Sequence, residues 1–132
     1  MVFVIAEIGV NWDGNFDLLE EMVSKAKEFG CNAVKFQAYN QELIKEHPEW
    51  ERLMRTTILP NNIDKVDRIV KNVGIEWFCT PMYPEAVQML DPYVKRFKLR
   101  EYDGRQLLKN NSTELFEEIQ KTKKEVIISF EK

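Results

Sequence analysis

Seven polar or charged side chains near the ends of short apolar segments could bind and transform an anionic molecule. They are Glu7, Lys35, Gln37, Thr80, Lys98, Arg100 and Ser129. Lysine and arginine bind phosphate and carboxylate groups, hydroxyl groups donate hydrogen bonds to them, and a carboxylate can act as a base. The set predicts a site for a molecule with phosphate and carboxylate groups, and Asp103 adds a further acidic candidate.

Lys35 is the most informative of these residues. It lies in the sequence AVKFQ at residues 33–37, which follows a helix-ending glycine and is typical of a strand in a parallel sheet. Alternation along that strand places Lys35 and Gln37 on one face and the apolar side chains on the other. A buried ammonium needs an anion, so the alternatives are a bound ligand or a structural ion pair with Glu7.

The elements that must position these side chains form one continuous series of alternating strands and helices. Strands are predicted over residues 2–9, 33–37, 75–79, 94–100 and 125–130. Helices are predicted over residues 16–29, 63–72, 84–90 and 113–121, the last capped by Ser112. The order βαβαβαβαβ predicts an α/β domain over residues 1–132 with all strands parallel.

Two α/β folds fit this order, namely an open doubly wound sheet and part of a (β/α)8 barrel. No GxGxxG or GxxxxGK[ST] follows any predicted strand, which argues against the first. The polar side chains lie toward the carboxyl ends of five successive strands, where barrel enzymes gather their catalytic groups. We therefore expect a partial TIM barrel.

Two connections carry predictions of their own. Residues 39–59 form a long connection with a short helix, and connections of this length are often functional lids. Asp103-Gly104 predicts a polar turn after the fourth strand.

Composition excludes several classes of protein. The net charge of −3 gives no general attraction to nucleic acid or to anionic membranes. No apolar run approaches the ~20 residues that span a bilayer, and the first residues lack the pattern of a signal peptide. We expect a cytoplasmic protein in which Cys31 and Cys79 are inert thiols without a disulfide or zinc site.

The ordered motifs resemble those of the sialic acid synthases, also called N-acetylneuraminate synthases. The resemblance rests on IAEIGVN at residues 5–11 with Gly14, on VKFQ at 34–37, on Thr80-Pro81, on Lys98 and on VIIS at 126–129. It extends over the whole chain. It implies an N-terminal part of a TIM barrel that condenses phosphoenolpyruvate with an N-acylated amino sugar such as N-acetylmannosamine.

The resemblance also implies roles for individual residues. Lys35, Thr80, Lys98 and Ser129 match the residues that hold phosphoenolpyruvate in that family, and Asp103 matches an acidic position. Glu7 and Gln37 match residues that face the sugar and the water. With Lys35, they are the predicted catalytic residues. The family uses a divalent metal, manganese or magnesium, to polarise the sugar aldehyde.

This chain departs from the family pattern at several positions. Trp12 stands where the family has histidine, Glu101 next to Arg100 replaces a serine, and Phe130-Glu131 replaces Thr-Gly. The family's metal-binding histidines lie beyond the fifth strand. His47, the one histidine of this chain, lies in a polar loop and is expected at the surface, so metal ligands are predicted to be absent here.

Three hypotheses remain open. The chain is the N-terminal portion of a synthase-like barrel whose remaining strands and metal come from elsewhere, and it is inactive alone. Alternatively, it is a divergent half-barrel that self-associates and binds a phosphorylated or carboxylated molecule without catalysis. A third possibility is an aldolase that uses Lys35 as a Schiff base.

Overall fold

A computed structural model describes residues 1–131, whose five strands form one all-parallel sheet. The strands are β1 (Ile5–Glu7), β2 (Ala33–Ala38), β3 (Glu76–Pro81), β4 (Arg96–Leu99) and β5 (Glu125–Ile128). Their order in the sheet is β1-β2-β3-β4-β5, so each strand pairs with the next one along the chain. An open doubly wound sheet would reverse its order partway. The expected partial (β/α)8 barrel-like fold is therefore confirmed.

Helices fill the connections between the strands in the described part of the chain. They are α1 (Phe16–Glu28), α2 (Gln41–Ile44), α3 (Trp50–Thr56), α4 (Ile63–Val73), α5 (Pro84–Leu90), α6 (Glu101–Asn110) and α7 (Glu114–Thr122). α1 begins at Asn15, whose side chain accepts hydrogen bonds from the Asp17 and Leu18 N–H groups. None of the helices in residues 1–131 is long and apolar enough to cross a bilayer.

Most of the hydrophobic core lies on one face of the sheet, beneath the helices, although fully buried Phe78, in register with Lys35, lies on the opposite face. Val34 and Phe36 of β2, Cys79 of β3, and Phe97 and Leu99 of β4 are fully buried there. The alternate residues of the same strands lie on the opposite, open face. The predicted division of β2 into an apolar face and a face with Lys35 and Gln37 is thus correct.

The bounds of all five strands differ from the prediction, most at β1. β1 covers three residues only, and Val2 to Val4 before it are exposed. The apolar pattern of that segment therefore overpredicted the strand, which pairs with β2 alone through Ile5, Ala6 and Glu7. β3 continues through Thr80 to Pro81, because these residues pair with Gln37 and Ala38 of β2.

The predicted turn at Asp103-Gly104 is wrong, because both residues lie within α6. Asp103 lies in the first turn of the helix, where a carboxylate is favourable. Gly104 is buried against β5, where a Cβ would lie 3.1 Å from Ile128 Cγ2.

The predicted cap of α7 is also wrong. Thr113, not Ser112, caps the helix by accepting a hydrogen bond from Phe116 N.

The long connection between β2 and β3 contains two short helices before α4, rather than one. Its two ends are held together, since Tyr39 N donates to Thr57 Oγ1 at 2.8 Å and Thr57 Oγ1 donates to Tyr39 O at 2.7 Å. Ile58 N donates to Gln37 O. Residues 39–58 of this connection therefore begin and end beside the carboxyl end of β2. The function of the connection as a lid stays a prediction.

Candidate functional site

The open face of the sheet carries most of the predicted site residues, at the carboxyl ends of neighbouring strands. Glu7 of β1 pairs in register with Lys35 of β2, and Gln37 of β2 pairs with Thr80 of β3. Residues in register on parallel strands point to the same face. Lys98 lies on β4 one residue beyond Phe97, which pairs with Cys79, and so it belongs to the same row as Thr80.

Glu7 and Lys35 form an ion pair across β1 and β2. Lys35 Nζ lies 2.5 Å from Glu7 Oε1, and the lysine side chain is 11% exposed whereas that of the glutamate is 70% exposed. The hydrogen bond and the positive charge of Lys35 lower the pKa of Glu7 below its ordinary value, and burial opposes this only in part. The structural ion pair considered as an alternative is therefore present, and its carboxylate faces solvent.

Lys98 lies close enough to this pair to interact with both of its charges. Burial and the positive charge of Lys35 lower the pKa of Lys98, while the negative charge of Glu7 raises it. Lys98 Nζ donates a hydrogen bond of 2.5 Å to Ser129 Oγ, just beyond β5. Ser129 is held in position by its own N–H, which donates to Leu99 O. Glu7, Lys35, Lys98 and Ser129 thus form one connected group.

Thr80 and Gln37 complete this row. Thr80 is buried and Gln37 is half-buried, so the hydroxyl group lies deeper than the amide. The chain after β1 folds back over Gln37, because Gly9 N donates to Lys35 O and a Cβ at Gly9 would lie 3.9 Å from the Gln37 amide. The first turn after β1 therefore forms one wall beside the predicted catalytic amide.

Arg100 and Asp103 pair with each other at the start of α6. Arg100 Nε donates to Asp103 Oδ2 at 2.6 Å, and the guanidinium lies 5.0 Å from the centre of the Tyr102 ring. The neighbouring Glu101 pairs with Arg105 instead. The fourth connection therefore does not add an uncompensated positive charge, although the sequence suggested one at Arg100.

A second charged cluster on the open face was missed by the sequence analysis. Arg96 of β4 contacts Glu76 of β3 at 2.8 Å and Glu125 of β5 at 3.0 Å, and its guanidinium lies over the Phe3 ring. Arg96 lies two residues before Lys98, so the alternation along β4 was the available signal. Its charge is balanced by two carboxylates, which makes this cluster a structural contact near the amino ends of the strands.

No metal centre is formed by the part of the chain that the structure describes. Residues 1–131 contain no group of three or more histidine, cysteine, aspartate or glutamate side chains placed to hold a metal ion. His47 is exposed, as expected, and its Nδ1 accepts a hydrogen bond from Glu49 N. Cys31 and Cys79 are free thiols, and burial raises the pKa of Cys79.

The arrangement can bind an anionic molecule and can place a carboxylate beside it. Lys35 and Lys98 supply positive charge, and the hydroxyl groups of Thr80 and Ser129 can donate hydrogen bonds. Glu7 supplies an ionised carboxylate beside these cations. This is a polar site on a rigid sheet rather than on loops, which favours fixed positions of the bound groups.

Comparison with known protein families gives one match that covers most of the chain. The model of the NeuB family matches residues 22–131. An uncharacterised protein of Methanocaldococcus jannaschii is 32% identical over 130 residues, which cover 96% of this chain and 37% of that protein. The N,N'-diacetyllegionaminic acid synthase of Legionella pneumophila is 27% identical over 114 residues, which cover 74% of this chain and 32% of that enzyme.

Solved structures agree on the fold. The N-acetylneuraminic acid synthetase of Leptospira borgpetersenii, crystallised with citrate, superposes with a TM-score of 0.70 at 24% identity. The match covers 96% of this chain and 53% of that structure. The chain spans about a third of the length of the curated relatives it matches.

Proposed function

Because the chain belongs to the NeuB family, we propose that it forms the N-terminal part of a barrel with sialic-acid-synthase activity. The reaction is the condensation of phosphoenolpyruvate with an N-acylated amino sugar, such as N-acetylmannosamine, to a nonulosonic acid. The observation that carries this proposal is the connected group of Glu7, Lys35, Lys98 and Ser129 on one face of the sheet.

In this proposal, phosphoenolpyruvate binds to the cations and hydroxyl groups of the group. Lys35, Lys98, Thr80 and Ser129 hold its phosphate and carboxylate, and charge-assisted hydrogen bonds of this kind are the strong ones. The bound anion would replace Glu7 as the acceptor of the hydrogen bond from Lys35 Nζ, since both groups compete for this donor. The freed Glu7 carboxylate would then be available to the sugar or the water.

The chemistry forms one carbon–carbon bond and one carbon–oxygen bond, and it breaks the carbon–oxygen bond between C2 and the phosphate. The proton that the water loses balances the proton that the aldehyde oxygen gains. C3 of phosphoenolpyruvate attacks the aldehyde carbon of the open-chain sugar, water adds at C2, and phosphate leaves. Lys35 and Lys98 stabilise the charge on the phosphate, and Gln37 and Glu7 orient the sugar and the water. Arg100 and Asp103 are proposed as further substrate-binding residues that must first separate from each other.

The rest of the barrel and the divalent metal must come from outside residues 1–131 in this proposal. Among residues 1–131, no group of three or more histidine, cysteine, aspartate or glutamate side chains is placed to hold a metal ion, so the proposal assigns the metal ligands to the rest of the barrel. We therefore expect this chain alone to be inactive in condensation. Completion by further barrel strands, in the same or a complementary chain, would supply the missing part. Cytoplasmic location stays a prediction.

A second candidate function is a self-associating half-barrel that binds an anionic molecule without catalysis. Exposed apolar residues at the two outer strands favour it, namely Val2, Phe3 and Val4 before β1 and Phe130 after β5. Unpaired strand edges with apolar neighbours favour pairing with another copy. Measurement of the mass in solution tests this candidate, and a stable monomer would contradict it.

Calorimetric titration with phosphoenolpyruvate tests the main proposal. We expect binding that Lys35→Ala weakens at least about tenfold, because one charge-assisted contact contributes about 1.5–3 kcal/mol. Lys25→Ala, which removes an equal charge from an exposed position on α1, is the matched control and should leave the affinity within about twofold. Equal effects of the two substitutions would contradict the proposal.

A further inference from the structure

Trp12, which stands where the resemblance leads us to expect histidine, lines a cavity that shares no residue with the group around Lys35. The cavity measures about 380 Å³. It is lined by Trp12, Gly14, Phe16, Met54, Arg55, Leu59, Asn61, Asn62 and Lys65. These residues come from the loop after β1, from the start of α1, from α3, from the connection between α3 and α4, and from α4.

Every charged residue that lines this cavity is a cation. Arg55 Nη2 lies 3.6 Å from Asp13 Oδ1, so its charge is partly balanced from outside the lining. Lys65 has no carboxylate within ion-pair distance among the described residues, and its Nζ lies 4.1 Å from the centre of the Phe16 ring. A ring face attracts a cation but does not neutralise it. The cavity is therefore positively charged overall.

The start of α4 presents backbone N–H groups near this cavity. Asn62 occupies the cap position of α4 but makes no capping hydrogen bond with its side chain. Instead, its Oδ1 accepts from Leu59 N and its Nδ2 donates to Thr57 O. The first N–H groups of α4 consequently lack a side-chain acceptor from the cap residue. The positive end of the helix dipole lies in the same region, where the Asp64 carboxylate of the first turn offsets it in part.

The indole of Trp12 gives an independent sign of a ligand. The side chain is 1% exposed, and its Nε1–H has no acceptor among residues 1–131. A buried donor without an acceptor is unfavourable, because it has lost its hydrogen bond to water. An acceptor oxygen that reached Nε1 from the cavity would remove this deficit. Because the nitrogen is buried, the loop that carries Trp12 would have to shift to admit it.

We propose that this cavity is a second anion site, which binds a small organic anion through Lys65, Arg55 and the Trp12 indole. The group it recognises is a phosphate or a carboxylate, whose oxygens accept from these donors. The apolar part of the same molecule lies against Phe16, Met54 and Leu59. The cavity shares no lining residue with the proposed phosphoenolpyruvate site.

Nuclear magnetic resonance of the indole N–H groups tests the proposal directly. The chain has three tryptophans, and Trp12→Phe assigns the signal of interest. Trp77 Nε1 already donates to Asp67 Oδ1, so its signal is an internal control that should not move. We expect phenyl phosphate to shift the Trp12 signal in a saturable way. The affinity obtained from this titration should be higher for phenyl phosphate than for inorganic phosphate. Benzoate then distinguishes a carboxylate ligand from a phosphate.

Charge substitutions decide where the ligand binds. Lys65→Gln should weaken the binding of phenyl phosphate about tenfold, whereas Lys71→Gln, on the same helix but outside this cavity, should change it less than about twofold. Lys35→Ala should leave the Trp12 titration unchanged. Loss of the response in Lys35→Ala, equal effects of Lys65→Gln and Lys71→Gln, or an equal response to uncharged benzyl alcohol would each overturn the proposal.

Discussion

The Glu7 carboxylate and the Lys35 ammonium pair across two neighbouring strands, and the lysine is buried whereas the glutamate faces solvent. Lys35 Nζ and Glu7 Oε1 lie 2.5 Å apart, with 11% and 70% of the two side chains exposed. The positive charge of buried Lys35 is therefore balanced by a carboxylate that water or a ligand can reach. Removal of either partner should have different consequences because of this asymmetry.

We expect Glu7→Gln to destabilise the protein more than Lys35→Met. Glu7→Gln leaves a buried ammonium without its counter-charge, which should cost about 1–2 kcal/mol after allowance for the exposed partner. Lys35→Met leaves Glu7 in water and keeps the apolar volume, so the cost should be below about 1 kcal/mol. Urea unfolding of both variants measures the difference, and equal losses would show that burial does not govern this pair.

The ion pair should also make stability depend on pH in the acid range. The pKa of Glu7 in the folded chain is lowered by Lys35 from an ordinary value of 4.5. Its contribution to stability is therefore complete above pH 4.5 and is lost as the pH falls through the lowered pKa. Unfolding free energies of wild type and Glu7→Gln, measured from neutral to acid pH, should converge at the acid end. A constant difference would contradict this prediction.

The sequence was sufficient to predict the fold class and the face of the sheet that carries the polar group. Strand alternation depends on local periodicity, and Lys35 and Gln37 lie on their predicted face because the other face of β2 is apolar. The ion pair between Glu7 and Lys35 could also be considered in advance, since sequential strands of a barrel are neighbours.

Features that depend on contacts between distant residues could not be predicted in the same way. Gly104 belongs to α6 because it packs against Ile128 of β5, which outweighs the local preference of Asp-Gly for a turn. The cluster of Arg96 with Glu76 and Glu125 requires the register of three strands, although each residue alone is typical of a strand end. The burial of Trp12 was likewise not visible in its motif.

Thr80→Val should separate ligand binding from stability. Thr80 is buried on the open face, and valine keeps its shape while it removes the hydroxyl donor. If Thr80 binds phosphoenolpyruvate as proposed, we expect the affinity to fall at least about tenfold, because a hydrogen bond to a charged group contributes about 1.5–3 kcal/mol. The unfolding free energy should change by less than about 1 kcal/mol. Calorimetry and urea unfolding of the same sample give both values, and an unchanged affinity would remove Thr80 from the site.

Anion binding at the site should raise the pKa of Lys98. Burial and the charge of Lys35 lower its pKa in the unliganded chain. A bound phosphate or carboxylate would neutralise Lys35 and pair with Lys98, so it should raise the pKa of Lys98. The affinity for phosphoenolpyruvate should accordingly fall as the pH rises through the lowered pKa of the unliganded lysine. The ¹³Cε shift of Lys98, followed against pH with and without ligand, checks this, and coincident curves would contradict it.

Gly14→Ala tests how the loop after β1 contacts α3. Gly14 has φ +76°, and a Cβ there would lie 2.9 Å from Arg55 Cβ and 3.2 Å from Arg55 O. Gly30 also has a positive φ, at +89°, but a Cβ there meets nothing within 4 Å. Gly30→Ala should therefore cost only the strained backbone, about 1 kcal/mol, whereas Gly14→Ala should cost about 2–4 kcal/mol because α3 must also move. Urea unfolding compares the two variants. Equal losses of unfolding free energy would mean that α3 does not pack against the loop after β1 as closely as the structure indicates.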